Sequence, residues 1–456
     1  TAVVGHPHTA GGRRYNAASV IQKGRITATY YKQALPNDTV FDEERYFDRG
    51  EQPCVFKLND LSIGVNICED TWDSEAPRAA RAAGAQLLIV LNASPYHLRK
   101  QHTRHEVMRE RVAETGIPLI YANMVGGQDE LVFDGASFVL DRSGTVMQQL
   151  PAFKEALGIV TIENGAPQAG PVAPERALEA DVYDALCMGV RDYVNKNRFP
   201  GVIIGLSGGV DSALVLAIAV DALGADKVRT VMMPSRYTAD ISWIDAREMA
   251  QNLGVQYDEI PISGPVDALE ASLAEQFKGL QVDATEENIQ ARVRGTLLMA
   301  LSNKTGRLVL TTGNKSEMAV GYCTLYGDMA GGFAVIKDIA KTLVYRLCAY
   351  RNGIAPIIPE RILTRAPSAE LRPDQKDQDS LPSYEVLDGI VERYMEQNQS
   401  IAQIIAAGFD EQSVEKVTRL IKLNEYKRRQ APPGVRVTTR AFGRDWRYPI
   451  TSQFRA

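Results

Sequence analysis

The sequence predicts two α/β domains, the first dominated by β-strands and the second built as a doubly wound parallel sheet. The length of 456 residues exceeds that of one ordinary domain. Residues 163–171 are rich in Gly and Pro and have no hydrophobic period, as in a linker. We therefore expect domains over 1–165 and 176–456, joined by a linker at 166–175.

The residues before this linker contain several short runs of strand-like composition and one convincing helical stretch, near 103–114. The runs are TAVVGHP, SVIQKGRITATYYK, LSIGVNIC, QLLIVLNAS and ASFVLDRSG. Such a pattern is typical of an α/β layer protein in which sheet predominates.

Strand-like and helix-like runs alternate strictly after the linker. GVIIGL, VRTVMMP, YDEIPI and RLVLTTG are separated by helical stretches near 213–223, 242–253, 265–277 and 286–303. Alternation of this kind predicts a parallel, doubly wound sheet.

The composition narrows the class of protein. A net charge of −5 argues against general attraction to nucleic acid or to anionic membranes. No apolar run reaches the ~18 residues that span a bilayer, and no signal peptide is visible. The five cysteines lack metal-ligand spacing, so we expect reduced thiols in a cytoplasmic protein. All five histidines lie at or before His105, so chemistry in the second domain must proceed without histidine.

The stretch GLSGGVDS at 205–212 follows a predicted strand and precedes a predicted helix. Glycines there let backbone N–H groups approach an anion, and the helix dipole favours a phosphate. The loop lacks the lysine of a Walker motif. Asp211 would repel phosphate unless it holds Mg²⁺, which then bridges phosphate oxygens. The structural alternative is a plain glycine turn in which Asp211 and Ser212 cap the helix.

The run SGGVDS resembles the signature of the ATP pyrophosphatase superfamily, whose members cleave ATP between the α and β phosphates. That resemblance explains the missing lysine, because a backbone nest and a metal can hold the departing pyrophosphate. Further stretches resemble NAD synthetase over 176–456. They are TTGNKSE (311–317), GYCTLYGDMAGG (321–332), KDIAKT (337–342), 366–388, NEYKRRQ (424–430) and RAFGRDWRYPIT (440–451).

The resemblance implies a nucleotide site with three groups of residues. The ATP-binding group would be Gly205, Leu206, Ser207, Gly208, Gly209, Val210, Asp211, Ser212, Thr312 and Lys341. The Mg²⁺ carboxylates would be Asp211 and Glu317. Contacts to deamido-NAD would come from Asn288, Arg292, Glu317 and Lys427. The alternative for Glu317 is a solvated acid at a helix start, and for the run 427–429 a solvated basic face.

Cys68 lies at the end of a strand-like run in VNICEDTW, and Lys32 precedes it in TYYKQALPN. A lone cysteine in such a place is more often a buried small hydrophobe than a nucleophile. The whole segment, however, resembles the nitrilase-type glutaminase domain that is fused to synthetase in glutamine-dependent NAD synthetases. That resemblance implies an αββα sandwich for the first domain.

In that family a Glu–Lys–Cys triad hydrolyses an amide through a thioester. The resemblance implies that Cys68 is the nucleophile, Lys32 stabilises the oxyanion and Glu43 is a supporting glutamate. It also implies that Asp38, Ser94 and Lys100 bind glutamine. The family's general-base glutamate lies upstream of the lysine, and none of the 31 residues before Lys32 is a glutamate. We therefore expect that the chain begins inside the nitrilase fold, with N-terminal residues omitted.

These features predict ATP-dependent amidation of deamido-NAD to NAD, with ammonia from glutamine and with ATP and Mg²⁺ required. The alternative is an ammonia-dependent synthetase whose glutaminase portion is inactive. Other amidotransferases that share the loop, making GMP or asparagine, and a non-catalytic nucleotide-binding module are weaker alternatives. We expect no nucleic-acid or membrane partner, and at least a homodimer through the synthetase domain.

Overall fold

The computed structural model describes residues 1–373 and 375–452 and contains two compact units. The first comprises Thr1–Gly126 and Val132–Leu178, and the second comprises Gly127–Leu131 and the chain from Glu179 onward. Asp374, within the 366–388 stretch, and the last four residues of the predicted second domain lie outside the described residues. The domain boundaries expected from the sequence stay a prediction.

The first unit contains two sheets and two small hairpin pairings. A three-stranded antiparallel sheet has the order β1-β2-β3, and a six-stranded mixed sheet has the order β11-β10-β7-β6-β5-β4. Only the pairs β5–β6 and β6–β7 within the larger sheet are parallel. The strands up to the linker are β1 (Ala2–Ala10), β2 (Arg13–Gln22), β3 (Arg25–Tyr31), β4 (Cys54–Leu58), β5 (Leu61–Ile67), β6 (Leu87–Asn92), β7 (Leu119–Asn123), β8 (Val125–Gln128), β9 (Leu131–Asp134), β10 (Phe138–Leu140) and β11 (Val146–Gln149).

Two helices cover one face of the six-stranded sheet, α1 (Glu75–Ala82) and α2 (Lys100–Thr115). Met108 and Val112 of α2 pack with Leu88 and Leu119 of the sheet. The other face packs on the three-stranded sheet through residues such as Val20 and Val65. The helix expected near 103–114 is confirmed, whereas α1 was missed because it has only eight residues and its buried face consists of Ala and Pro, which are weakly apolar.

The segment expected to be a linker is hydrogen-bonded within the first unit. Strands β12 (Ile162–Glu163) and β13 (Ala166–Pro167) form a two-stranded hairpin. Its turn consists of Asn164 and Gly165, both with positive φ, and Asn-Gly is the preferred pair for a tight hairpin turn. A Gly in this stretch therefore serves a specific turn, and the linker expected at 166–175 stays a prediction.

The second unit contains a five-stranded sheet in which every pair is parallel, with the order β16-β15-β14-β17-β18. Its strands are β14 (Val202–Gly205), β15 (Val228–Met232), β16 (Gln256–Glu259), β17 (Leu308–Thr311) and β18 (Phe333–Ala334). The order reverses beside β14, as in a doubly wound sheet, and ligands bind at the carboxyl ends of strands there. The predicted doubly wound parallel sheet is confirmed.

In the part of the second unit that the structure describes, twelve α-helices surround or extend this sheet. They are α3 (Leu178–Lys196), α4 (Val210–Leu223), α5 (Asp240–Leu253), α6 (Ser263–Leu273), α7 (Ala284–Thr305), α8 (Lys315–Val320), α9 (Lys341–Ile354), α10 (Glu360–Thr364), α11 (Tyr384–Val391), α12 (Ile401–Ala406), α13 (Glu411–Leu423) and α14 (Glu425–Arg428). Within residues 1–373 and 375–452, none of the helices combines the length and apolarity that a membrane crossing requires.

Helix α4 is buried along most of its length, which explains its nearly continuous apolar sequence. Residues Ala213 to Ala219 are all inaccessible to solvent, and α4 packs against both α5 and α9. A helix that is apolar all round is a core helix. Burial of α4 therefore anchors the 205–212 loop, which leads directly into it.

We predict that Leu214→Ala destabilises the protein by about 2–5 kcal/mol, because it leaves a cavity beneath the loop. The measurement is the midpoint of chemical denaturation. Leu269→Ala is the matched control, since Leu269 is 45% exposed on α6. Equal effects of the two substitutions would contradict the proposed role of α4.

Candidate active sites

Lys32 and Glu43 form a buried ion pair at the end of β3. The Lys32 Nζ donates to Glu43 Oε1 at 2.6 Å and to Oε2 at 2.7 Å, and Lys32 is 1% exposed. Glu43 lies in a short 3₁₀ turn, Glu43–Arg45. The ion pair fixes the lysine head group, as a supporting glutamate would.

Cys68 begins a second 3₁₀ turn, Cys68–Thr71, directly after β5. Its φ is 46°, in the left-handed region that a non-glycine residue seldom adopts. Strained backbone of this kind is concentrated at functional sites. The turn thus places the thiol at the carboxyl end of β5, which lies between β6 and β4 in the sheet.

The Asp70 carboxylate connects the Cys68 turn to the chain that carries Lys32. It accepts hydrogen bonds from the backbone N–H groups of Ile67 (2.9 Å), Gln33 (2.9 Å) and Ala34 (2.8 Å), and from the Tyr30 hydroxyl (2.8 Å). Sequence reasoning missed Asp70, although its position in CEDTW beside the nucleophile was a signal. These four hydrogen bonds to one buried carboxylate fix the segment that carries Lys32 relative to the turn that carries Cys68.

Burial raises the pKa of Cys68 to about 11, while the Lys32 ammonium and a hydrogen bond from the Ala93 backbone counteract the shift. The Glu69 and Glu43 carboxylates raise it further. The thiolate therefore depends on the cation of Lys32 in this arrangement.

The three glutamine-binding candidates differ in their surroundings. Ser94 is buried and donates its N–H to Asn123 Oδ1 at 3.0 Å, whereas Asp38 is exposed. The Lys100 Nζ lies 3.8 Å from the centre of the Trp72 ring. Burial raises the pKa of Glu69. The positive charges of Lys32 and Lys100 lower this pKa, and the negative charge of Asp38 raises it. Asp38 and Lys100 thus act electrostatically on the same residue beside Cys68.

We predict that Lys32→Met shifts the pH profile of Cys68 alkylation by iodoacetamide to higher pH by about one unit. Alkylation requires the thiolate, so its rate rises with pH towards the thiol pKa, and loss of the cation raises that pKa. The measurement is the alkylation rate of the Cys68 peptide by mass spectrometry. Lys57→Met, at an exposed position of β4, is the control, and an unshifted Lys32→Met profile would refute the coupling.

The 205–212 loop of the second unit follows β14 and borders a cavity of about 340 Å³. The Ser212 hydroxyl donates to Gly209 O at 3.0 Å and accepts from the Ser207 N–H at 3.3 Å. Gly208 has a φ of 78°, and a Cβ there would lie 2.3 Å from the Ser242 carbonyl oxygen. The loop is therefore a glycine-dependent cradle closed by its own serines.

Asp211, Glu317 and Lys341 converge in this cavity. The Lys341 ammonium forms an ion pair with Asp211 Oδ2 and lies 3.4 Å from Glu317 Oε1. The Asn314 amide donates to Asp211 Oδ1 at 2.8 Å, and Asn314 Oδ1 caps α8 by accepting from the Glu317 N–H. Asp211 thus uses its carboxylate across the cavity and not as a cap of α4, which argues against the plain-turn alternative.

The charged groups in the cavity shift one another's pKa values strongly. Burial and the neighbouring Asp211 carboxylate raise the pKa of Glu317 to about 8, and Lys341 opposes that shift. Burial works to lower the pKa of Lys341, but Asp211 and Glu317 outweigh it and hold the pKa above its ordinary value. Glu317 is therefore not the solvated helix-start acid of the alternative interpretation.

The predicted nucleotide contacts fall into two groups, apart from Gly208, which belongs to the loop but not to the cavity wall. The cavity wall contains Gly205, Leu206, Ser207, Gly209, Val210, Asp211, Ser212, Thr312, Glu317 and Lys341. Asn288, Arg292 and Lys427 lie outside that wall and hold the 321–325 segment. Asn288 accepts from Thr324 Oγ1 at 2.7 Å, and Arg292 donates to Leu325 O at 3.2 Å. Lys427 donates to Gly321 O at 2.6 Å and to Cys323 O at 2.8 Å.

The basic run 427–429 is not a solvated face. Arg428 is buried and donates to the Ala319 carbonyl at 2.8 Å and to Glu425 Oε2 at 3.1 Å. Its guanidinium lies 4.7 Å from the centre of the Phe442 ring. The run therefore serves packing as well as the 321–325 segment.

Two arginines of the cavity wall escaped sequence reasoning. Arg294 donates to Met233 O at 3.0 Å, and burial lowers its pKa to about 10. Arg365 donates to Gly208 O at 3.1 Å. Arg294 lies six residues after Asn288 on the same helix, which was the available signal. Both add positive charge where an anionic nucleotide would bind.

The fold and the two sites together define a two-part enzyme, a nitrilase-like amide hydrolase joined to a ligase of the ATP pyrophosphatase type. Family models agree, with carbon-nitrogen hydrolase matching residues 1–171 and NAD synthase matching 182–431. The chain is 51% identical to the glutamine-dependent NAD(+) synthetase of Acinetobacter baylyi, covering 99% of this chain and 85% of that protein.

Two further relatives support the same assignment. The glutamine-dependent NAD(+) synthetase of Thermotoga maritima is 47% identical, over 97% of this chain and 83% of that protein. The solved structure of the glutamine-dependent NAD+ synthetase of Acinetobacter baumannii with ADP matches with a TM-score of 0.78 and 47% identity, covering 98% of this chain and 84% of that chain. The chain belongs to the family of glutamine-dependent NAD(+) synthetases, ligases that use ATP as a co-substrate.

Proposed function

We propose that this chain forms NAD from deamido-NAD and ATP, with ammonia supplied by hydrolysis of glutamine. One observation carries the proposal, namely that a Cys68–Lys32–Glu43 group and an SGGVDS loop whose Asp211 faces Lys341 and Glu317 occur in one chain. The first group suits attack on an amide, and the second suits cleavage of ATP next to a carboxylate substrate.

In the synthetase reaction, the nicotinate carboxylate attacks the α-phosphate of ATP, and pyrophosphate leaves towards the 205–212 loop. Backbone N–H groups of the loop and the N-terminus of α4 stabilise the departing anion. Arg294, Arg365 and Lys341 in the cavity wall offset the accumulated negative charge. Ammonia then attacks the adenylated carbonyl carbon, so that AMP leaves and the amide forms.

Asp211 and Glu317 are the residues that would hold Mg²⁺. They supply hard oxygen ligands, and Mg²⁺ is commonly bound by one or two carboxylates together with substrate phosphates. The fit is supported by Lys341, because a cation already lies between the two carboxylates. Bound there, the ion would neutralise charge on the phosphates.

In the glutaminase reaction, Cys68 Sγ forms a bond to the carboxamide carbon of glutamine, and the C–N bond breaks to release ammonia. Water then hydrolyses the thioester to glutamate. Lys32 lies beside the thiol and would stabilise the oxyanion, held in place by Glu43. We propose Asp38, Ser94 and Lys100 as glutamine-binding residues, and Asn288, Arg292, Glu317 and Lys427 as residues that contact or shape the deamido-NAD site.

The proposal is tested by NAD formation from deamido-NAD, ATP and Mg²⁺, with glutamine or ammonium as nitrogen source. Activity with both sources supports the full proposal. Activity with ammonium alone supports the synthetase and favours the ammonia-dependent alternative. Folded protein that is inactive with both would overturn the proposal. A cytoplasmic location and a homodimer through the second domain remain further proposals, checked by fractionation and by sedimentation.

We predict that Lys341→Met raises the affinity for Mn²⁺ in the absence of nucleotide by about tenfold, because Asp211 and Glu317 lose their fixed cation. The measurement is free Mn²⁺ by electron paramagnetic resonance from pH 7 to pH 9, and the gain is expected at the alkaline end, because loss of Lys341 also raises the pKa of Glu317 and protons then compete with the metal. Lys337→Met is the matched control, since the Lys337 Nζ also lies in the cavity wall but donates to Pro432 O at 2.9 Å. An unchanged affinity in Lys341→Met would contradict the competition between lysine and metal.

A further inference from the structure

Arg104 on α2 is a fully buried cation in the first unit that the reaction described above does not use. Its side chain is 0% exposed, and its NH1 donates to Asp134 Oδ2 at 2.8 Å. NH1 also donates to Gln101 Oε1 at 3.1 Å. Apolar residues of similar volume can often replace a buried ion pair without loss of stability. Stability of the fold is therefore a poor explanation for the Arg104–Asp134 pair.

The remaining donors of Arg104 all point to one loop, which follows β6. Nε donates to Ser94 Oγ at 3.2 Å, NH2 donates to Ser94 O at 2.8 Å, and NH2 also reaches Pro95 O at 3.5 Å. The guanidinium thus binds both the side chain and the backbone of Ser94. A planar fork of donors fixes direction as well as distance, which a lysine cannot reproduce.

The same loop is held from its other side by Asn123. The Ser94 N–H donates to Asn123 Oδ1 at 3.0 Å, and Asn123 Nδ2 donates to Gly135 O at 3.1 Å. Ser94 therefore has its N–H, its carbonyl and its hydroxyl all fixed by buried partners. A serine restrained at three groups has one orientation in the site.

This loop faces the nucleophile. Ala93, which directly precedes Ser94, lowers the pKa of the Cys68 thiol through a backbone hydrogen bond. Ala93 and Ser94 are consecutive, so a residue that acts on the thiol directly precedes the proposed glutamine-binding residue. Arg104 donates its hydrogen bonds in this loop to Ser94 and Pro95, so its loss would displace the proposed substrate contact.

We propose that Arg104, anchored by Asp134, is a positioning residue that orients the Ala93–Ser94 loop for glutamine. The assignment rests on the proposed glutaminase function of this unit. Arg104 donates to Ser94, Pro95, Gln101 and Asp134, and it acts on the site through Ser94. Its loss is expected to weaken recognition of glutamine while leaving the intrinsic reactivity of the thiol in place.

The test compares two electrophiles on Cys68 in the full chain, the diazoketone analogue of glutamine and iodoacetamide. Arg104→Lys is expected to lower the rate of labelling by the diazoketone about tenfold, since charge-assisted hydrogen bonds are lost, and to leave the iodoacetamide rate unchanged. Arg111→Lys is the matched control on the same helix, because Arg111 is also buried but pairs with Glu110 and Glu114.

Ammonia-driven NAD formation by each variant reports an intact second unit, and the iodoacetamide rate reports an intact Cys68 turn. Where Arg104→Lys does not fold, Asp134→Asn carries the same test, because it keeps the guanidinium and removes its anchor. Equal loss with both electrophiles, or no loss with the diazoketone, would overturn the positioning role. Wild-type Cys68 that reacts no faster with the diazoketone than with iodoacetamide would overturn the glutaminase site itself, and the assignment with it.

Discussion

Two carboxylates that share one buried ammonium determine the arrangement of the second unit. Asp211 and Glu317 follow adjacent parallel strands, β14 and β17, so their loops emerge at the same edge of the sheet. Like charges at close range in a buried site are costly unless a cation compensates them. Lys341, at the start of α9, supplies that cation, and the N-termini of α4, α8 and α9 must therefore converge on one point.

That convergence is secured by groups that lie behind the site. Asp388 on α11 accepts hydrogen bonds from the Ser316 hydroxyl on α8 and from the Thr342 N–H on α9. Lys315, directly beside Ser316, is buried in ion pairs with Asp338 (3.0 Å) and Glu396 (2.7 Å). Buried networks whose donors and acceptors are satisfied rigidify their surroundings. The proposed nucleotide site consequently depends on the C-terminal helices as well as on the sheet.

In the first unit, the Asp70 carboxylate brings two segments of the chain together by accepting hydrogen bonds from their backbone N–H groups. Asp70 holds the end of the chain that carries Lys32 against the turn that carries Cys68. Here the electrostatic balance is different, because the buried thiol is neutral by default and one lysine opposes the effect of burial. Neither unit uses histidine for its proposed chemistry, so lysine, arginine and carboxylates provide the charges.

Local sequence was sufficient for several of the longer strands and for the main helices before residue 311, whereas the reactive groups that it named stay a prediction. The periodicity around 201–311 and the spacing of SGGVDS are local properties, and they predicted the parallel sheet and its loop correctly. The hairpin turn at Asn164 and Gly165 was missed, because the same residues suit linkers and tight turns. Its outcome depended on a partner strand that local composition does not reveal.

Long-range contacts decided the rest. The sequence by itself determined that Cys68, Lys32, Asp211 and Glu317 are present in patterns suited to amide and phosphate chemistry. Only the tertiary structure decided that Lys341 lies between the carboxylates of Asp211 and Glu317, and that the fully buried Arg104 donates hydrogen bonds to Ser94. The physical reason is that charge compensation in a buried site is set by distance in space, and folding brings together residues that are far apart in the chain.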